Sequence, residues 1–260
     1  MGNFVFSVDV ERDIHSSNKY HGVVVGLKRL EKLLDKYKIQ ATFFVTCDCI
    51  KKYPKIFTSL SKKGHEIALH GYRHIRYDEL TEIEQDKEIN KAVACFQKYL
   101  KKKPKGFRAP QFSADTETIR LLIKKRFEYD SSCTPLNILE ILFFPKRFKT
   151  GLRHFFSRVG KNKINGKINE IPLSSFIFPL SSFSLRVIPL SLFKLLFKIC
   201  ILSDRTKTIV FLSHSWDFIE LKESRTYKVC DLNKFMKKLD VFLIYANKKL
   251  KSTTIEKLIK

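Results

Sequence analysis

The chain of 260 residues is short of acid, glycine and proline, and each shortage narrows the field. Asp and Glu number 26 against 50 Lys and Arg, a formal charge of +24, so the surface favours anionic partners. That attraction reaches over about 8 Å at physiological salt. Nine Gly and eight Pro exclude a collagen-like or low-complexity chain. No CxxC pair occurs among Cys47, Cys49, Cys95, Cys133, Cys200 and Cys230, and their wide, irregular spacing excludes a zinc ribbon or a compact disulfide framework. Reduced thiols in a cytoplasmic protein are the expected state. No repeat is present. No apolar run reaches the roughly 20 residues of a membrane span. The most apolar stretch, 171–203, has a charge-free run of only 15 residues, Ile171 to Leu185, broken by Pro172 and Pro179. The opening MGNFVFSVDVERD has no basic region and meets acid at Asp9, which reads against a secretory leader. Phe6 stands where a myristoylation pattern needs Ser or Thr.

What is present suits one medium α/β domain. Hydrophobic residues make up 44%, enough for a sizeable core. Short β-rich runs alternate with amphipathic helical runs, the pattern of a parallel α/β fold. Seven strands are predicted: Phe4–Val8, Ala41–Thr46, Glu66–Leu69, Gly106–Arg108, Phe127–Asp130, Ile168–Ile171 and Thr208–Leu212. Helices are predicted over Gly22–Lys38, Tyr53–Lys63, Leu80–Lys103, Asp115–Lys125 and Leu232–Lys248. Thr81 and Glu84 suggest a capping box, and Asp115 an N-cap. Residues 140–205 form a basic and apolar insertion in the single domain 1–260. Its basic part, Phe143–Lys167, carries Lys146, Arg147, Lys149, Arg153, Arg158, Lys161, Lys163 and Lys167. Its apolar part reads as a strand end, a long loop and an amphipathic helix over Leu190–Leu202, with Leu192, Leu195, Leu196 and Ile199 toward one side.

Four motifs fall at predicted strand ends, where parallel α/β barrels collect catalytic groups. In Ser7-Val8-Asp9-Val10-Glu11, two nearby carboxylates can divide metal binding and proton acceptance, although a turn and helix cap would look the same. In His70-Gly71-Tyr72-Arg73-His74, histidines four apart would reach one ion from one side of a helical turn. In Gly106-Phe107-Arg108-Ala109-Pro110, the guanidinium can keep a strand-end carboxylate ionised. In Phe211-Leu212-Ser213-His214-Ser215-Trp216-Asp217, a strand-end His suits a general acid.

The order and placement of these motifs resemble the polysaccharide deacetylase (NodB-homology) family, carbohydrate esterase family four. Lys38–Val45, Gly64–His70 and Phe107–Pro110 followed by Phe127–Ser132 carry further similarity. The resemblance is dense over residues 4–135, returns at Glu170–Pro172 and Leu212–Asp217, and is absent from 140–167 and 175–205. It implies a distorted (β/α) barrel with about seven parallel strands. It implies a hydrolase that removes acetyl or formyl groups from sugar nitrogen, in a glycan or a lipid-linked glycan precursor. Carried over by position, Glu11, His70 and His74 would hold a divalent metal, commonly zinc. Asp9 would be the general base, steered by Arg108, and His214 the general acid, assisted by Asp130. His65 would be structural. Two departures stand out. The family's adjacent aspartates are replaced by Asp-x-Glu, so Asp13 or Asp9 could be the acidic ligand instead of Glu11. Gly71 replaces the usual Ser or Thr after the first metal His, and a supporting hydrogen bond is expected to be missing.

The expected partner is an acylated sugar or glycan, with an anionic membrane surface as a second. Basic charge with apolar residues at 174–203 suggests peripheral attachment to the inner face of the membrane. Nucleic acid is disfavoured, because the basic residues are scattered rather than interleaved with aromatics on one module. The alternative function is a catalytically retired barrel that binds carbohydrate or nucleic acid.

Overall fold

The computed structural model describes residues 2–13, 19–137, 152, 154, 156–164, 166–221 and 230–260. Of the basic part of the insertion, Lys146, Arg147, Lys149 and Arg153 lie outside the described residues. The strands are β1 (Gly2–Val10), β2 (Ala41–Val45), β3 (Glu66–Leu69), β4 (Gly106–Phe107), β5 (Tyr129–Asp130), β6 (Asn162–Ile164), β7 (Ile168–Glu170), β8 (Ser175–Phe176), β9 (Phe178–Pro179), β10 (Thr208–His214) and β11 (Leu250–Ser252). The helices are α1 (Leu27–Lys36), α2 (Cys47–Lys52), α3 (Pro54–Lys62), α4 (Glu82–Leu100), α5 (Thr116–Lys124), α6 (Ser182–Val187), α7 (Leu190–Ser203), α8 (Leu232–Lys249) and α9 (Ile255–Ile259).

Seven strands pair in parallel in the order β10-β1-β2-β3-β4-β5-β7. They coincide, within a few residues at each end, with the seven predicted ones. The sheet curls into a distorted (β/α) barrel. Its opening between β7 and β10 is bridged by loop backbone. Leu173 N–H bonds Cys133 O, Ser174 N–H bonds Val210 O, and Leu212 N–H bonds Leu180 O.

Strand alternation divides the core. Phe4, Phe6, Val8 and Val10 of β1 join the large cluster beneath the helices, whereas Val5 belongs to a separate cluster with Phe44, Ala68, Tyr129 and Val210 that fills the barrel. Period two in the sequence therefore sorts outward from inward side chains. Ile255 of α9 joins the inner cluster, with Leu258 and Ile259 packed against it. The last helix thus plugs the barrel's base. It is seated by Glu66, whose carboxylate accepts from Glu256 N–H at 2.8 Å, from Thr42 at 2.8 Å and from the Tyr129 hydroxyl at 2.7 Å.

To reach Glu66 on β3, the Tyr129 ring must pass over β4, which lies between β3 and β5. It crosses at Gly106, where an added Cβ would stand 1.8 Å from Tyr129 Cζ. Glycine is required there because an aromatic ring occupies the place of its side chain.

The predicted helices are present, with the Thr81–Glu84 capping box and the Asp115 N-cap. The first begins with a π-helical turn, Gly22–Gly26, before α1. The insertion differs from expectation. Its long loop contains a two-stranded hairpin, β8–β9, and the short helix α6. In α7, Leu196 is buried while Leu192 and Leu195 are exposed, so these leucines do not share one side. Helix α2, β6, β11 and α9 were not legible as separate elements.

Gly106→Ala should lower the free energy of unfolding by about 2–3 kcal/mol, the cost of forcing volume into a filled interior. Urea unfolding of the variant beside the parent measures it, and an unchanged midpoint would mean that the ring is free to move aside.

Candidate functional site

On β1, Ser7 and Asp9 face the barrel's interior, and Glu11, two residues on, continues along the same side. In extended chain, residues two apart share a face while adjacent ones do not. The Asp-x-Glu spacing is thus what an unbroken strand needs to aim both carboxylates at one place.

Glu11, His70 and His74 do converge. Each offers one donor atom, and the three atoms lie within 4.8 Å of one another. His70, at the end of β3, is buried, and its Nδ1 lies 2.8 Å from the Arg108 carbonyl oxygen. A carbonyl can only accept, so Nδ1 carries the proton and Nε2 is left with a free lone pair. Burial also lowers the pKa of His70 and favours the neutral ring that a ligand must be. His74 Nε2 lies against Glu11 Oε2. Glu11 Oε2 is itself buried and makes no hydrogen bond. A buried carboxylate oxygen left over in this way, facing two imidazoles, fits a divalent cation.

The two histidines are not on a helical turn, as their spacing suggested. Residues 70–76 form an irregular loop. Gly71 turns it with φ of +81°, and a Cβ there would lie 3.1 Å from the Arg73 carbonyl oxygen. The departure at Gly71 is therefore tied to the loop's left-handed backbone.

Asp9 stands beside the triad, with Oδ2 3.9 Å from His70 Nε2. Its Oδ1 accepts from Arg108 Nη1 at 2.8 Å. Burial pushes the Asp9 pKa up. The charge of Arg108, then those of His70 and His214, outweigh it and hold the carboxyl below its ordinary value. Asp9 is therefore ionised at neutral pH. Asp13 has a different task, since its Oδ2 accepts from Gly22 N–H at 2.8 Å at the start of the first helical segment.

His214 ends β10 and pairs in register with Asp9. Its ring stacks on Trp216 with centroids 4.5 Å apart. Nδ1 lies 3.7 Å from Asp217 Oδ2, the oxygen that also accepts from His214 N–H at 2.7 Å. Burial lowers the pKa of His214. Hydrogen bonding and charge from Asp217, with the charges of Asp9 and Glu11, reverse this and raise it to about 9.

Asp130 does not join this group. It lies on the outer side of the wall, where it accepts from the Ser132 hydroxyl at 2.7 Å and pairs with Glu170, its register partner on β7. Burial raises the pKa of both carboxyls. The pair faces a cavity of about 580 Å³ between α5 and the β6–β7 hairpin. The carboxylate beside His214 is instead Asp217. Its signal was an acid three residues after a strand-end His, the spacing of a local cap. His65 is buried, accepts from Ala41 N–H at 3.1 Å and packs edge-on to Phe43, a structural role.

The class is now defined: a distorted (β/α) barrel with a His-His-Glu donor set, an ionised Asp and a protonated His at its strand C-termini. Residues 22–129 match the polysaccharide deacetylase family model, so that segment is similar to the polysaccharide deacetylases. The match includes His70, His74 and Arg108. Asp9, Glu11 and His214 lie outside it and are brought in by the fold. A peptidoglycan deacetylase-like protein of Gibberella zeae is 36% identical over 110 residues, 42% of this chain and 32% of its own length. The peptidoglycan deacetylase of Helicobacter pylori is 32% identical over 108 residues, 42% of this chain and 37% of its own. The aligned part thus spans about a third of each curated relative. A Mycobacterium smegmatis structure assigned to the polysaccharide deacetylases superposes with a TM-score of 0.69 at 17% identity, over 99% of this chain and 88% of the other.

In metal-free protein, an NMR titration of the His214 ring should give a midpoint of about 9, and Asp217→Asn should return it toward the ordinary 6.5. An unchanged midpoint in the variant would remove Asp217 from its supporting role.

Proposed function

We propose that the chain is a metal-dependent hydrolase that removes an acetyl or formyl group from the nitrogen of a sugar, in a glycan or a lipid-linked glycan precursor. The observation that carries this reading is the convergence of Glu11, His70 and His74 beside Asp9 and His214. Two imidazoles and a carboxylate suit zinc. The chemistry a divalent ion supplies when held there is polarisation of the acyl carbonyl and acidification of a water molecule.

The chain's own residues do the rest. Arg108 occupies Asp9 Oδ1 and leaves Oδ2, on the His70 side, to take the proton of the attacking water. Because Arg108 also lowers the carboxyl's basicity, Asp9 is a base only for a water made acidic beforehand. His214, held protonated by Asp217, gives its proton to the leaving amine, which otherwise departs poorly. The positive surface suits a substrate that carries phosphate or uronate. A cytoplasmic location fits the wide, irregular spacing of the cysteines.

The reading predicts release of acetate or formate from N-acyl sugars only when metal is supplied. Asp9→Asn should keep stoichiometric metal and lose turnover, because the base goes and the donors stay. His70→Ala should lose the metal. His214→Ala should retain metal and slow turnover by about 10²–10⁴. Metal analysis and single-substrate kinetics on the three variants read all of this. Metal retained in His70→Ala would refute the donor set, and no acyl release from a broad panel of metal-loaded assays would refute the activity.

A further inference from the structure

Exposed apolar residues on this molecule are not evenly spread. Of the ten large hydrophobics exposed among the described residues, seven lie on the apolar part of the insertion, 171–203, and on α8: Ile177, Phe183, Leu192, Leu195, Leu202, Val241 and Ile244. Helix α7 packs on β8, α6, β10 and α8 with Phe193, Leu196, Phe197 and Cys200 inward. Its other side presents Leu195, 53% exposed, and Leu202, 76% exposed, about two turns apart. Phe183 of α6 and Ile177 of the β8–β9 hairpin border it at 47% and 45%. On α8, whose Tyr245 ring lies 5.3 Å from Lys194 Nζ, Val241 and Ile244 are exposed as well. Single exposed leucines are ordinary on a soluble surface; seven on neighbouring elements are a patch.

Most charges around the patch are positive. No Asp or Glu occurs between Ile171 and Ser203, nor between Ile141 and Asn169. Lys198 is exposed on α7 between Leu195 and Leu202, and Lys194 is partly exposed. On α8, Lys237, Lys248 and Lys249 are exposed, while Asp240 is engaged by Lys36 and Tyr37. No helix of the described residues is long and apolar enough to cross a membrane.

We infer that this flank of the barrel, centred on α7, docks on an anionic phospholipid surface, with leucine and phenylalanine side chains in the headgroup boundary and lysines on the lipid phosphates. Apolar insertion and charge act together there, and neither alone holds a protein firmly. The docked flank is linked directly to the candidate site. Buried Arg186 of α6 donates to the Asp217 carbonyl at 2.6 Å and to the Cys230 carbonyl at 2.8 Å, so the loop after His214 is tied to the membrane-facing element. The docking does not depend on the hydrolase reading, because none of its residues belongs to the donor set or the acid–base pair.

Flotation of the full chain with vesicles of phosphatidylcholine containing phosphatidylglycerol, beside phosphatidylcholine alone, tests it. At low salt the protein should rise with the anionic vesicles and stay behind with the neutral ones. Leu195→Glu should reduce the floated fraction about tenfold, and so should Lys198→Glu, which alters charge without touching the apolar patch. Ile83→Glu, on an exposed site of α4, should float like the parent and control for net charge. Circular dichroism confirms that each variant is folded, and hydrolysis of a soluble N-acyl sugar should be unchanged in all three. Protein that stays in the soluble fraction overturns the proposal. So does equal flotation of Leu195→Glu, or a parent that elutes as a dimer which Leu195→Glu dissociates, since a second copy would then cover the face.

Discussion

The upper half of this barrel is organised around one buried cation. The Arg108 side chain is inaccessible to solvent, and a guanidinium cannot shed its charge, so everything near it must answer that charge. Nη1 donates to Ser7 and Asp9 on β1, Nη2 to the Ser131 hydroxyl and Nε to the Ser131 carbonyl after β5. The planar group lies over the Phe44 ring of β2, 4.0 Å from its centroid. One side chain therefore ties together strands that are not neighbours in the sheet. It also accounts for the ionised Asp9, since a buried carboxylate this close to an arginine is stabilised as the anion. The carbonyl of the same residue fixes the His70 ring. Asp9 and His70 are positioned by the two ends of a single residue.

Much of this was legible in the sequence, because its signals are local and periodic. All seven parallel strands announced themselves as short β-rich runs between amphipathic helices, and each motif sat at a strand end because that is where the strands stop. Glu11, His70 and His74 could be grouped from their strand-end placement and from family resemblance. What could not be read was long-range pairing. Asp130 was assigned to assist His214, but alternation along β5 turns it outward to Glu170, while Ser131 turns inward to Arg108. Distinguishing the two faces requires knowing where the strand begins, and a two-residue strand gives no period to count. Asp217 was missed for the opposite reason: an acid three residues after a histidine is so common as a local cap that its role beside the ring is visible only in three dimensions. The two histidines do come together, but a loop turned at Gly71 brings the rings to one place rather than a helix.

The insertion shows a different limit. Its composition is so uniformly apolar that hydropathy alone could not choose which leucines of α7 face inward. Packing on β10 and α8 decides it, through a nest of aromatic rings. Phe193 and Phe197 each meet Phe242 edge-on at 5.0 and 5.2 Å, and Phe4 of β1 meets both Phe197 and Phe242. Aromatic edges against faces are directional, so they fix the rotation of α7 about its own axis. The leucines on the far side are left outward as a consequence.

The position of β1 has a bearing on how the chain reaches this structure. The strand is flanked on one side by β10 and, at its beginning, by β11, where Gly2 pairs with Leu250. Only β2 comes from nearby in sequence. Contacts closing loops of more than two hundred residues carry a large entropic cost before they repay it, and proteins dominated by them fold slowly. Until β10 and β11 arrive, the apolar β1 has one edge bare and the other covered only in part. An exposed hydrophobic edge is a template for pairing with other chains. A strand buried along nearly its whole length in the finished molecule is therefore one that is fully paired only after distant parts of the chain have joined it.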